Sequence, residues 1–347
     1  MKILLLTNHV RKIGNGIVNV AVDLACGLAE SGHEVHFGSE GGEFEELLAA
    51  SGVHHHLLPV PGPSASGLGS ILRFHRLVSD IKPEIVHSHM VKWAAIAKAV
   101  GIVHRYSTVA TVHNVYQKSS KVMGWSDGVV ALGRSSAVVV AGWGVRAAKI
   151  HEVVNAPLES PRLTKAESVP PFPMEGPSIV SVGGLYFRKG FHHLIEGFAA
   201  VKRELPSATL HIVGEGPDRA HFEELAARVS PQGVVFHGYQ ADPRPFLKGG
   251  DVVVLASLRE SFPLVLLEAR EFGAKIVATD VDGNREALDD GRAGWLVPPA
   301  DPQALANAII EVIGSPAMPG VRDHLERFRV PSHVKSYEEI YRKVRRG

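Results

Sequence analysis

The sequence predicts an α/β protein made of two doubly wound parallel-sheet domains. Short β-branched runs alternate with helix-patterned segments along the chain. That alternation breaks over residues 156–177, where six prolines fall with little periodicity, and then restarts. A length of 347 residues also exceeds what one ordinary core takes.

In the first half, residues 2–6 read as a strand, followed by a loop through Gly14, Asn15 and Gly16. Residues 17–30 carry helical apolar spacing and stop at Gly32. Strands are expected at 34–37 and 53–58 with a helix near 44–50 between them. After the loop 61–67 come a helix (68–80), a strand (84–87), a helix (94–100) and strands at 108–113 and 128–131. A helix at 135–142 and a strand at 151–154 close the series. The second half gives strands at 178–182, 209–213, 234–236, 251–255, 275–278 and 294–297. Helices are expected at 191–204, 218–229, 264–272 and 302–313, with a last one at 336–344. Two such Rossmann-like domains are expected to face each other across a cleft, with ligands beyond the carboxyl ends of the strands.

Hydrophobic residues make up 45% and charged residues 21%, an ordinary soluble composition. The formal charge of +1 gives no bulk attraction for nucleic acid, although the tail YRKVRRG is locally basic. The single cysteine, Cys26, excludes an internal disulfide and reads as core. The start MKILLLTNHV is too short an apolar run for a signal peptide, and no stretch is long enough to span a bilayer, so a cytoplasmic location or the inner membrane face is expected.

The most informative stretch is 251–272, DVVVLASLRESFPLVLLEAREF. A buried strand leads into a loop holding Glu260, and Pro263 stands where it would open a nearly apolar helix carrying Glu268. Helix N-termini offer free N–H groups and partial positive charge to a phosphate, and Glu268 would lean back toward that end. Amides for a diphosphate, flanked by two carboxylates for hydroxyls, suit a nucleotide sugar. An E-x7-E pair alone would be a loop acid and a helix acid beside an arginine. Arg188 and Lys189 follow the first strand of the second half through a Gly-Gly loop and could clamp a diphosphate; a solvated surface pair is the plainer alternative.

Gly14-Asn15-Gly16 fails as a dinucleotide fingerprint, because Asn19 stands in place of the third glycine and Gly38-Ser39 in place of the acid. Asp280-Val281-Asp282 could hold a divalent ion, but Asp282-Gly283-Asn284 turning the chain and capping the helix toward Glu286 is preferred. His54, His55 and His56 should alternate faces of a strand without binding metal. His87 and His89 share a strand end and could line the cleft, as could His113 at the end of TVHN. Residues 91–103 (VKWAAIAKAVGIV) fit a peripheral membrane contact about as well as a buried helix.

Taken in order, several segments resemble the retaining, nucleotide-sugar-dependent glycosyltransferases of the GT-B fold, glycosyltransferase family four in particular. ESFPLVLLEA (260–269) is similar to the family's EGFGLxxLEA, SVGGLYFRKG (181–190) to VGRLxxxKG, HIVGEGP (211–217) to its xIVGxGP turn and FHGY (236–239) to its FxGx strand. GNGIVNVAVDLACGLAESGHEV resembles the glycine loop and first helix. PEIVHSH, TVHN and KIHEVVNAP with Asn155 resemble the later landmarks.

The resemblance implies an acceptor-side domain at 1–160, a linker at 161–177, a donor-binding domain at 178–330 and a helix at 331–347 returning to the first domain. It implies transfer of a hexose-type sugar from a UDP- or GDP-sugar to a surface-glycan or glycolipid acceptor, with no protein nucleophile and no required metal or other cofactor. Glu268 would bind ribose hydroxyls and Glu260 the transferred sugar. Arg188 and Lys189 would hold the diphosphate with amides near Phe262 and Leu264. Gly16 would touch the donor phosphate, His113 would face the sugar and Tyr239 would line the base pocket. Gly184 stands where many relatives carry arginine, Pro263 replaces a glycine, and Ala274-Lys275 departs from the usual pair. A sugar-nucleotide epimerase of the same fold and a non-catalytic nucleotide-sugar binding protein remain the alternatives.

Overall fold

The computed structural model describes residues 1–62 and 65–345; Pro63 and Ser64 of the expected loop, and Arg346 and Gly347 of the basic tail, lie outside the described residues. The elements, in order, are β1 (Lys2–Leu6), α1 (Gly16–Glu30), β2 (Glu34–Ser39), α2 (Glu45–Ala50), β3 (His54–Leu57), α3 (Ala65–Ile81), β4 (Ile85–Ser88), α4 (Val91–Val100), β5 (Ser107–Val112), β6 (Gly128–Ala131), α5 (Arg134–Gly142) and β7 (Ile150–Glu152). There follow β8 (Ser178–Val182), α6 (Phe191–Glu204), β9 (Thr209–Val213), α7 (Arg219–Val229), β10 (Val234–Gly238), α8 (Arg244–Gly249) and β11 (Val252–Leu255). The chain ends with α9 (Leu264–Glu271), β12 (Ile276–Thr279), α10 (Asp282–Ala287), β13 (Trp295–Val297), α11 (Pro302–Ile313) and α12 (Val330–Val344). Two compact units result, Met1–Arg162 with Phe328–Gly347, and Leu163–Arg327.

In the first unit seven parallel strands run in the order β3-β2-β1-β4-β5-β6-β7. Leu4 and Leu6 on one face of β1 meet Phe74, Trp93 and Tyr106, while Ile3 and Leu5 on the other join the α1 and α12 core. This two-sided burial explains the unbroken apolar run of β1. Asn15 begins α1 by accepting the Ile17 N–H at 3.0 Å, and Gly32 ends it with a φ of +84°.

The C-terminal helix α12 returns to this unit, with Tyr337, Ile340 and Tyr341 in the same core as Val22 and Leu24 of α1. Gly27 permits the approach, since a Cβ there would lie 2.6 Å from Val334 Cγ2. The helix begins six residues earlier than the apolar spacing suggested, because Pro331 fits the first turn of a helix rather than marking its boundary. The sequence reading missed Asp23, buried in mid-α1. Its carboxylate accepts from Ser160 Oγ at 2.7 Å and from Arg162 Nε and Nη2 at 2.7 and 2.8 Å.

Among the expected features of this unit, His54 and His56 do share a face. Both rings lie 5.1 Å from His36, while His55 turns to Ser39 at 2.9 Å. Cys26 is core. Within α4 the apolar Trp93, Ala94 and Ala97 are buried, Lys92 bonds the Pro61 carbonyl and Lys98 pairs with Asp127 at 2.6 Å, packing that suits the buried-helix reading. Ile102 and Val103 beyond it are exposed. No described helix is long and apolar enough to cross a membrane.

The second unit carries six parallel strands in the order β10-β9-β8-β11-β12-β13. Its core joins Ile179, Leu210, Val252 and Val254 of the strands to Phe191, Phe198, Leu305 and Ile309 of α6 and α11. The strand order reverses direction between β8 and β11, so the loops leaving those two neighbours are where such a sheet binds a ligand.

Candidate active site

The loop after β8 is shaped by close backbone contacts. Gly183 and Leu185 N–H groups donate to Val213 and Glu215 carbonyls at 2.9 Å each, and Leu185 is fully buried. A short 3-10 turn, Phe187–Lys189, follows and is held by Asp218 Oδ2, which accepts the Phe187 N–H at 2.7 Å. Gly190 then takes a φ of +71°, and a Cβ there would stand 1.9 Å from the Ala256 carbonyl oxygen. Only glycine fits that position. The Leu258 N–H completes the join by donating to the Arg188 carbonyl at 2.9 Å.

The β8 loop is thereby bound to the β11 loop, and their side chains meet as well. The Lys189 ammonium pairs with the Glu260 carboxylate, their side chains only 17% and 11% exposed, and Ser257 Oγ lies 3.4 Å from the same carboxylate. Arg188 is exposed, its guanidinium 5.5 Å above the Tyr186 ring. Tyr186 itself crowds Gly184, where a Cβ would be 2.9 Å from Cε2 of the ring.

α9 starts immediately after this loop. Pro263 occupies the N-cap with an extended backbone (φ −82°, ψ 122°), one place before the helical position expected of it. Phe262 is buried, Leu264 is the first helical residue, and Glu268 stands half-buried one turn further on. The expectation of a nearly apolar helix needs correction at Arg270, which is fully buried. Its guanidinium donates to the carbonyls of Val321, Ala287 and Asp323 at 2.6–2.9 Å and to Asp289 Oδ2 at 2.8 Å. Every donor face of a buried arginine needs such a partner, and this one fixes α9 to the segments around it.

α10 backs the site from the other side. The Gly283 N–H donates to the Glu260 carbonyl at 3.2 Å, and Asn284 Nδ2 donates to the Thr279 carbonyl at 2.9 Å. Asp280 is ion-paired with Arg285, and Val281 rather than either aspartate is the N-cap of α10, with no side-chain cap bond. The preferred reading of Asp282-Gly283-Asn284 as a turn and cap is therefore corrected: the three residues form the first turn of α10 itself. Tyr239 follows β10, on the far side of β9, and is 40% exposed. Gly238 before it has a φ of +68°, and its carbonyl accepts the Gly214 N–H at 2.8 Å.

Gly16 and His113 belong to the first unit. Gly16 opens α1, and His113 follows β5 with Nε2 2.9 Å from Nδ1 of His89. Burial pushes His113 down to about 3, with His333 adding repulsion. His87 and His89 do not line an open surface as expected: they are 0% and 2% exposed. His87 Nδ1 lies 2.8 Å from the Tyr341 hydroxyl and Nε2 2.8 Å from the Thr111 hydroxyl, one nitrogen donating and the other accepting, and burial pushes it to about 3. A strand-end histidine is drawn inward here because β5 and, from far along the chain, α12 each supply it a hydroxyl partner.

Two family matches divide along the same lines as the fold. The family described as Glycosyltransferase Family 4 matches residues 14–156, and the one described as Glycosyl transferases group 1 matches residues 176–315. The chain belongs to the group 1, family 4 glycosyltransferases. This glycosyltransferase is 36% identical over 142 residues to the lipopolysaccharide core biosynthesis glycosyltransferase LpsE of Rhizobium meliloti, a stretch covering 41% of each chain, so it spans less than half of that relative. It is 27% identical over 310 residues to a glycogen synthase of Mycobacterium tuberculosis, covering 80% of this chain and 73% of that one. Anabaena Alr3699/HepE, solved with UDP-glucose, superposes with a TM-score of 0.82 at 19% identity over 98% of both chains. The fold of this glycosyltransferase is GT-B.

Proposed function

We propose that this glycosyltransferase moves a hexose-type sugar from a nucleoside-diphosphate donor to a surface-glycan or glycolipid acceptor, with retention of anomeric configuration. The observation that carries the reading is the Lys189–Glu260 pair at the strand-order reversal of the second sheet, directly before the N-terminus of α9. A cation, two loops tied backbone to backbone and the amides at the start of α9 make a fitting cradle for a diphosphate. The name of LpsE and the UDP-glucose bound to Alr3699/HepE support the donor and acceptor classes.

In this reading Arg188, Lys189 and the amides at Phe262 and Leu264 take the diphosphate, and Glu260 takes hydroxyls of the transferred sugar. Glu268 takes the ribose hydroxyls, Tyr239 borders the base, and Gly184 belongs to the donor-binding loop with Arg188 and Lys189. In the first domain Gly16 is assigned to the donor phosphate and His113 to the sugar. The acceptor hydroxyl forms its bond to the anomeric carbon as the bond to the diphosphate breaks on the same face. Its proton passes to the departing phosphate oxygen, so the protein supplies no nucleophile. Cations and amides aimed at the leaving group stabilise its charge without a metal ion.

Thermal unfolding with UDP-glucose, UDP-galactose, UDP-GlcNAc and GDP-mannose tests this. A donor at about a hundred times its dissociation constant should stabilise by roughly 3 kcal/mol. The Glu268→Ala variant should lose most of that shift, and the anomeric proton of the product should keep the donor's configuration. A protein that none of the four stabilises, or an inverted product, would overturn the reading.

A further inference from the structure

The end of the first sheet carries a pair of histidines whose protons can be assigned. His89 after β4 and His113 after β5 stack with ring centroids 5.2 Å apart, and Nδ1 of His89 lies 2.9 Å from Nε2 of His113. One nitrogen of each ring is spent on this bond. The remaining nitrogen of His89, Nε2, is buried and meets no partner. His87, whose ring lies tilted against His89 at 4.3 Å, has both nitrogens engaged elsewhere and offers none.

Two neutral arrangements share the bond. If His113 donates from Nε2, His89 must carry its own proton on Nε2, a buried N–H facing no acceptor. If His89 donates from Nδ1, its Nε2 is only an unused lone pair. A buried donor without a partner is the rarer and costlier of the two. The second arrangement leaves the proton of His113 on Nδ1; this residue is only part-buried, so its N–H, unlike one on the buried Nε2 of His89, can meet water or substrate.

We infer that His89 is a positioning residue that fixes His113 as the Nδ1–H tautomer, so that His113 meets substrate as a hydrogen-bond donor and not as a proton acceptor. The role rests on the reading above that substrate reaches His113; the tautomer does not. The titratable groups acting on the pair are His87 from β4 and His333 from α12; around them, Thr111 and Tyr341 bond His87 and Tyr337 packs on His333. None of these is a carboxylate, so nothing among them would hold an imidazolium. Burial accordingly lowers His89 well below the ordinary histidine range, and lowers His113 with it.

Nitrogen-15 NMR of the intact protein at pH 7 decides the tautomer. His113 should show a protonated Nδ1 and an unprotonated Nε2, and the reverse pattern overturns the inference. His89→Asn keeps an amide donor near the Nδ1 position, whereas His89→Ala removes it. The alanine variant should mix the two tautomers of His113 and lower kcat about tenfold with donor KM unchanged. The asparagine variant should restore both. Equal impairment of the two variants, with the tautomer intact in each, would make His89 mere packing and sink its positioning role. If neither variant folds, the wild-type spectrum alone still decides. A protein that binds no donor sugar would defeat the functional reading yet leave the NMR result standing.

Discussion

Gly283 backs directly onto the main chain of Glu260: its N–H reaches the Glu260 carbonyl at 3.2 Å, and a Cβ in its place would sit 2.6 Å from that oxygen and from Ser261. Helix α10 thus presses on the loop that presents the proposed sugar-binding carboxylate. Gly283→Ala must push the loop outward by several tenths of an ångström. A shift of that kind at a reacting centre can lower turnover up to about a hundredfold. The expected result is a large loss of kcat/KM with a small change in denaturation midpoint; unchanged kinetics would show that the loop position does not matter.

Arg270 lies behind the same site and makes a prediction about stability. Its fully buried guanidinium serves three carbonyls and Asp289, which also pairs with Arg327. Arg270→Met strips partners from all four acceptors at once. Removing one member of a buried ion pair typically costs about 3–5 kcal/mol. Urea denaturation should register a loss of that order, and a loss under about 1 kcal/mol would mean that water replaces the arginine.

Much of this architecture is legible in the chain, and the exceptions have one cause. The β-branched run of β11 and the helical spacing of α11 place those elements within a residue, because local periodicity reports the face each one buries. Lys189 and Glu260 were both singled out, yet nothing in a spacing of 71 residues says that they touch. Their contact follows from β8 and β11 being neighbours in the sheet, a pairing that skips β9 and β10. Asp23 and Arg270 escape, and His87 reads as a cleft residue, for the same reason: each looks out of place in an apolar element until its partner arrives from 137, 19 or 254 residues away. Gly283 was hidden by appearing in a motif that reads equally well as an ordinary turn. The short helix α8 has too little length for a period to show.

The imidazoles of the first domain predict an acid-sensitive fold. Burial lowers His87 and His113 to about 3 and His333 to about 4, against an ordinary value near 6.5. Below pH 6.5 the unfolded chain takes up protons that the folded one refuses. Stability is therefore complete above about pH 6.5, falls as pH drops through that value, and levels off only near pH 3–4. Each such histidine contributes up to about 1.4 kcal/mol per pH unit across the window. Denaturation midpoints measured between pH 7.5 and 5 should decline, and His333→Leu, which removes a ring with both nitrogens unpartnered, should flatten the decline. A midpoint independent of pH in this range would contradict the burial of these rings.

The Lys189–Glu260 pair can be asked whether it serves the fold, the transfer or both. Lys189→Ala leaves a carboxylate only 11% exposed without its cation, with Ser257 Oγ 3.4 Å away. That should destabilise the second domain by roughly 1–3 kcal/mol. Glu260→Gln, made on top of it, removes the stranded charge and should recover part of the loss, giving a coupling of about 0.5–3 kcal/mol in a double-mutant cycle. Turnover should behave differently, since in the proposed reading each residue has its own task toward the donor. Both single variants should lose activity, and the double variant should recover none of it even as its stability returns. Stability effects that simply add would mean that the pair contributes nothing to the fold. Recovery of turnover in the double variant would mean that neither side chain touches the donor.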